Sequence, residues 1–381
     1  METIVNFLLQ GLLNDLLQRC NRLKDEVENI KSVPEEISDY RVGTTKYLDE
    51  IVVQIEEIQK DPDIGLDDLA KNFLHKYKRL AERIHEMEWG PILAVSRYSE
   101  RDRLPTLLCQ EITEEINYPW APPICVALSS QHYWTNPKIN IIMLPVIEPF
   151  HLLGLSDLYH ELAHIVLFRK KLITLFYPKI DDYYAQEHER AEKENKPSKY
   201  SEIIINASKM WKRYWALEFA ADMIAAYLVG PAFGWSNIRL CINLSNDIFA
   251  SDPEEHHTHP ADDTRNEAIC LMLEKIGIER EKILEVQKVW NQFVSLEGQS
   301  KPQDYDLYFP HSLLANLKDF VYEQCKKIEL LSYKAQHSSS SNFKIAILLN
   351  KAWDQFNESP SSFSEWESKQ IYQLKNHLNL S

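Results

Sequence analysis

Glycine is scarce in this chain, with 9 residues in 381. Folds built from many tight turns need glycine where φ becomes positive, so its scarcity disfavours them and favours long helices. The six cysteines (Cys20, Cys109, Cys125, Cys241, Cys270, Cys325) form no CxxC pair. That disfavours a disulfide scaffold or a thiolate metal site and points to reduced thiols in a cytoplasmic protein. No stretch approaches about eighteen uninterrupted apolar residues, so no membrane-spanning helix is expected. The opening METIVNFLLQGLLNDLLQRC shows no basic leader, and Asn14 and Asp15 interrupt its apolar part, so no secretory signal is expected either. A basic surplus is also missing: 42 Lys and Arg stand against 57 Asp and Glu, a net charge of -15. Such a surface disfavours nonspecific nucleic-acid binding. No internal repeat is visible.

What is present is an ordinary globular composition, 44% hydrophobic and 26% charged, in a chain long enough for two or three domains. The expected fold class is mainly α with a small β element (α+β). Residues 1–95 read as a helical hairpin or bundle: Phe7, Leu8, Leu12, Leu13, Leu16, Leu17 and Leu23 keep a helical period, Pro34 interrupts, and Tyr47–Ile58 and Leu69–Ile84 resume it. These helices pack within the chain or offer a surface for a partner or for self-association. After Trp89, Pro91, Pro105, Pro119, Pro122 and Pro123 mark connecting structure. Ile124–Leu128 and Ile139–Leu144 are β-prone and read as a hairpin or neighbouring strands. A helix is expected over Leu152–Leu172, and the charged passage Asp181–Lys199 reads as a solvated helix or loop. A strong helix runs from about Ser201 to Val229 and stops at Gly230-Pro231. Another covers about Thr264–Lys275, and the region beyond Ile283 is again helical, broken by HSSSS at His337–Ser341.

Chemistry enters at YHELAHIVLF, residues Tyr159 to Phe168. His160 and His164, four apart, project from one side of a helix, and Glu161 between them leans toward a water held by a shared metal ion. His85-Glu86 and His188-Glu189 repeat the dipeptide but lack the second histidine. Catalytic zinc takes three protein ligands and an open position. The continuation IVLFRK has neither the glycine nor the histidine of HExxHxxGxxH, so the third ligand must come from another element. Glu218 in WALEFAADMIAAYLVGP is the best candidate. Asp222 shares its helical face and could accept the second N–H of a metal-bound histidine. The alternative is that both are surface carboxylates, but their flanks are apolar.

HELAH, then EFAAD, then HPADDTR with NEAICLML, in this order, resembles the gluzincin metallopeptidases. The similarity is closest to the soluble catalytic core of the HtpX and CAAX-prenyl-protease group, with HExxH, ExxAD and HP…R motifs, over roughly residues 120–275. The resemblance implies a zincin-like metallopeptidase domain over residues 96–290, flanked by helical regions at 1–95 and 291–381. It implies one Zn2+ per chain held by His160, His164 and Glu218, with Glu161 as general base and Asp222 behind the ligands. It places His259 and Arg265 near the cleft, supporting the oxyanion or the substrate backbone, although Arg265 could instead pair with Asp262 or another carboxylate. It also sets the strand around Ile139–Leu144 at the cleft, where an extended peptide could add to its edge. The group's membrane helices have no counterpart here, and neither do the terminal helical regions. His256 and His257 read as an exposed loop cluster.

The expected activity is a zinc-dependent endopeptidase that hydrolyses a peptide or protein substrate through a zinc-activated water, with Glu161 taking its proton. No GxMEN element for gripping a substrate's amino end occurs, which favours cleavage within chains. The alternative is a regulatory or binding protein with a catalytically weak metallopeptidase-like core, acting through its helical regions. The terminal helices or the passage 181–199 could cover the cleft and keep activity latent.

Overall fold

The computed structural model describes residues 2–30, 33–60, 67–129, 132–145, 151–244, 247–251, 259–337 and 344–380. Contacts divide the chain into two compact units, Met1–Leu107 with Ile124–Val126 and Leu108–Pro123 with Ala127–Ser381. The chain is mostly helical with one small sheet, in line with a mainly α architecture carrying a β element. The C-terminal helices belong to the same unit as the rest of the second half, so no unit boundary falls near residue 290.

The first unit begins with α1 (Glu2–Glu28), α2 (Ser38–Gln59) and α3 (Asp67–Met87), which pack on one another. In α1 the buried positions are Leu13, Leu16, Cys20, Leu23 and Val27, and in α2 they are Thr44, Leu48, Ile51 and Ile55. Steps of three and four of this kind form a seam that faces a neighbouring helix. Leu8, on the same expected stripe, is exposed. Next come α4 (Leu93–Arg97) and α5 (Glu100–Glu115). The proline-rich passage is less open than its composition suggests. Pro91 lies inside a π-helical turn, Glu88–Ile92, and Pro105 lies inside α5. A π turn widens the hydrogen-bond ladder and accommodates a residue with no N–H. Only Pro119, Pro122 and Pro123 fall in connecting structure.

Three strands follow, β1 (Ile124–Ser129), β2 (Trp134–Asn136) and β3 (Ile141–Pro145), in the order β1-β3-β2. β2, which lies between the two β-prone runs, pairs antiparallel with β3, Trp134 opposite Met143 and Asn136 opposite Ile141. The strand expected to offer a free edge is therefore central, with neighbours on both sides.

The remaining helices are α6 (Asp157–Lys170), α7 (Leu172–Lys193), α8 (Ser198–Met210), α9 (Ala216–Val229), α10 (Pro231–Leu244) and α11 (Asp262–Lys275). They continue with α12 (Arg280–Glu297), α13 (Tyr305–Tyr308), α14 (His311–Lys327), α15 (Tyr333–His337), α16 (Ile345–Glu358) and α17 (Pro360–His377). The charged passage from Asp181 is the second half of α7. The long helix expected from Ser201 is α8 and α9 joined through a π turn, Trp211–Trp215. Most of the HSSSS tract lies outside the described residues.

Helix α9 sits at the centre of the second unit, touching α6, α10, α11, α14 and α16. Apart from Glu218 and Asp222 it is apolar all round, and a helix of that kind has to be enclosed by others. Ala220, Ala221, Ala225 and Ala226 are all buried, and their short side chains let neighbouring helices approach closely. Gly230 ends it at φ +73°, with the Tyr333 ring only 2.6 Å from where a Cβ would stand. The last carbonyls of α9 are satisfied from far along the chain. Gln336 Nε2 donates to the Leu228 carbonyl at 2.8 Å and Asn350 Nδ2 to that of Val229 at 2.7 Å.

Candidate metal centre

Along α6 almost every side chain is buried as far as Leu167; Asp157, His160 and His164 are partly open and Phe168 is exposed. These four share one stripe, so the two histidines of HELAH lie on the helix's open face. The close packing of α9 against α6 brings Glu218 and Asp222 to that face.

His160 Nε2 and His164 Nε2 are 3.0 Å apart. Glu218 Oε2 is 3.6 Å from the first and Oε1 is 3.7 Å from the second. Tetrahedral coordination with bonds of about 2.0–2.2 Å separates ligand atoms by roughly 3.3–3.5 Å. The carboxylate thus faces the two imidazole nitrogens with one oxygen toward each, at distances close to those between corners of such a shell, and one ligand atom from each of the three side chains lies within 4.8 Å of the others. Glu218 Oε2 is buried and has no hydrogen-bond partner, which a metal ion would supply. The donor set, two imidazoles and a carboxylate, suits zinc. Among the described residues this is the one cluster of three or more such side chains able to hold a metal.

Behind the ligands runs a second set of contacts. Asp222, fully buried, accepts from Arg265 Nε and Nη2, both at 2.8 Å. Its Oδ1 lies 2.9 Å from His160 Nδ1, close but off the line of a good hydrogen bond. The Phe233 ring stacks on the other side of His160, centroids 5.9 Å apart and planes at 17°. Ser236 Oγ donates to Asp157 Oδ1 at 2.7 Å at the start of α6.

The charges follow from this crowding. Burial pulls His160 down, yet Asp222 and Glu218 outweigh it and hold the ring up to about 10. Burial pushes His164 down to about 4, against the opposing pull of Glu218. For Glu218, burial raises the pKa but His164 and His160 dominate and hold it well below the usual range. Asp222 is likewise lowered, burial being overcome by Arg265 and His160. Burial lifts Glu161 to about 8; His160 opposes and Glu218 and Asp157 reinforce.

The structure therefore gathers His160, Glu161, His164, Glu218 and Asp222 in one place. His259 stands at the rim, its Nε2 3.7 Å from Glu218 Oε2 and its side chain 66% exposed. Arg265 takes the carboxylate pairing that its sequence setting left open: its Nε and Nη2 donate to Asp222, and its side chain is 10% exposed. A wholly buried carboxylate holds a guanidinium strongly, since neither charge can be solvated. His256 and His257 lie outside the described residues. Phe233 and Ser236 had no signal in the sequence, as neither belongs to a spacing motif and both act across more than seventy residues. No model of a known protein family, no curated protein and no solved structure matches this chain.

Proposed function

We propose that this centre binds one zinc ion and that the protein is a peptide-bond hydrolase, an endopeptidase with a zincin-like core of the gluzincin kind. The observation that carries the reading is the pair of imidazole nitrogens 3.0 Å apart, with one Glu218 oxygen 3.6 Å from the first and the other 3.7 Å from the second, the Oε2 atom being buried and unpartnered. Zinc, when bound, supplies Lewis acidity that activates water and polarises a carbonyl near neutral pH. His160, His164 and Glu218 hold it. Asp222, anchored by Arg265, and Phe233 fix the His160 ring. Glu161, one residue from the first ligand and 6% exposed, would be ionised by the charge of a bound zinc and would then accept the water's proton and pass it to the leaving amine. His259, at the rim, donates to the developing oxyanion. An extended peptide adds to the edge of β2, the outer strand that packs on α6. The six buried free thiols support a reducing, cytoplasmic setting.

The test is metal analysis with peptide hydrolysis. Purified protein is expected to hold about one zinc per chain, His160→Ala and Glu218→Ala to hold less, and Glu161→Gln to keep the metal while losing cleavage. Full occupancy in both ligand variants would reject the ligand set. Undiminished cleavage by Glu161→Gln would reject the base.

A further inference from the structure

Between Ala163 and Ile180 the chain carries Arg169, Lys170, Lys171 and Lys179 and no carboxylate, in a protein of net charge -15. Helices α6 and α7 meet there at one residue, Lys171, whose φ of 49° is left-handed. Glycine or asparagine fills such a position after a helix with least strain. Four of the other non-glycine residues at positive φ are indeed asparagines, Asn117, Asn140, Asn195 and Asn379. At this bend, as at Glu329, a longer charged side chain takes the position instead, here a cation.

Arg169 and Lys170 lie over the Trp120 ring, 5.9 and 5.6 Å from its centroid, and Arg169 Nη2 donates to Asn140 Oδ1 at 3.1 Å. Among the described residues no carboxylate pairs with any of the four cations. Three residues before the bend Phe168 is 47% exposed, and four residues after it Leu175 is 60% exposed. Cations in the last turn of a helix ordinarily serve its dipole. That accounts for Arg169 and Lys170, but not for Lys171, Lys179 or the two exposed apolar side chains.

Cations that pair with no carboxylate among the described residues, beside exposed Phe and Leu, match the chemistry of a bilayer interface, where phosphates meet acyl chains. We propose that this corner docks the protein peripherally on an anionic lipid surface. The lysines and Arg169 face headgroup phosphates, and Phe168 and Leu175 enter the boundary beneath them. Phe168 is one turn beyond His164 on the open stripe of α6, about 6 Å along the axis, so docking brings that stripe to the bilayer.

Full-length protein is sedimented with vesicles of phosphatidylcholine, with and without phosphatidylserine. Binding is expected only with phosphatidylserine and should weaken as salt rises. Lys171→Gly separates folding from docking: it should melt at or above the wild type, because glycine suits the bend, yet bind about fivefold more weakly. Combining it with Lys170→Gln and Lys179→Gln should weaken binding roughly a hundredfold, and Phe168→Ser with Leu175→Ser should weaken it at unchanged charge. Glu218→Ala should bind vesicles like the wild type, which keeps this test apart from the metal reading. Absence of binding to phosphatidylserine vesicles at low salt would overturn the proposal. So would undiminished binding by the triple variant, or soluble polyglutamate competing as well as the vesicles, which would point to an acidic peptide.

Discussion

Asp222 has no exposed surface, and a carboxylate in that position persists only with strong donors around it. Arg265 provides two of them and His160 approaches as a third. Removing one partner leaves the other charged and buried. Arg265→Met is therefore expected to destabilise the protein by about 3–5 kcal/mol, measured by urea unfolding, and to weaken zinc binding by about 10–100-fold through a loosened His160 ring. Pairing it with Asp222→Leu should recover much of the stability but not the zinc affinity. If the double variant unfolds as easily as the single one, the buried pair is not what holds these helices. The carboxylates themselves were legible in EFAAD. The identity of Arg265's partner was not, since 43 residues separate the pair and only packing of α11 on α9 joins them.

At the scale of the element, α16 starts on a buried acid. The Ile345 N–H donates to both Glu115 oxygens, at 2.9 and 3.0 Å, from 230 residues away. Burial pushes Glu115 up to about 7, against the Ile345 N–H and Lys344. A raised folded pKa contributes stability that is complete below the unfolded value, about 4.5, and is lost as pH rises through 7. Glu115→Gln should remove that slope, so its stability relative to wild type should improve by up to about 3 kcal/mol between pH 5 and pH 8. Parallel stability curves across that range would show that the carboxyl does not titrate on unfolding. Element existence was readable from periodicity for α1, α2, α6 and α9, and the stop at Gly230-Pro231 stands. Pro91 misled because a π turn accommodates a missing N–H, and Pro105 because α5 runs on through its sixth residue without that N–H, neither of which composition alone reveals.

At the scale of the molecule, the C-terminal helices are structural members of the second unit. Asn350 caps α9 and its Oδ1 accepts from the Ala232 N–H at 3.0 Å, while Glu367 on α17 accepts from the Leu152 N–H at 2.7 Å just ahead of α6. Ending the chain at residue 344 would strip α16 from α9 and α10 and expose their apolar faces. That truncation is expected to abolish cooperative thermal unfolding of the second unit; a sharp transition near the wild-type temperature would show that α16 and α17 are dispensable. The sequence of residues 291–381 does not reveal these contacts, because helical periodicity tells which face is apolar, not which partner covers it.

Composition and local pattern alone determined the predominance of helix, the lack among the described residues of a helix long and apolar enough to cross a membrane, and the histidine pair on one face of α6. These follow from short-range rules of side-chain spacing and chain conformation. The tertiary structure alone decided that Glu218 faces that pair, that Arg265 serves Asp222, and that β2 rather than β3 is the outer strand. Each depends on contacts between distant segments, where close packing and the need to neutralise buried charge select the partner.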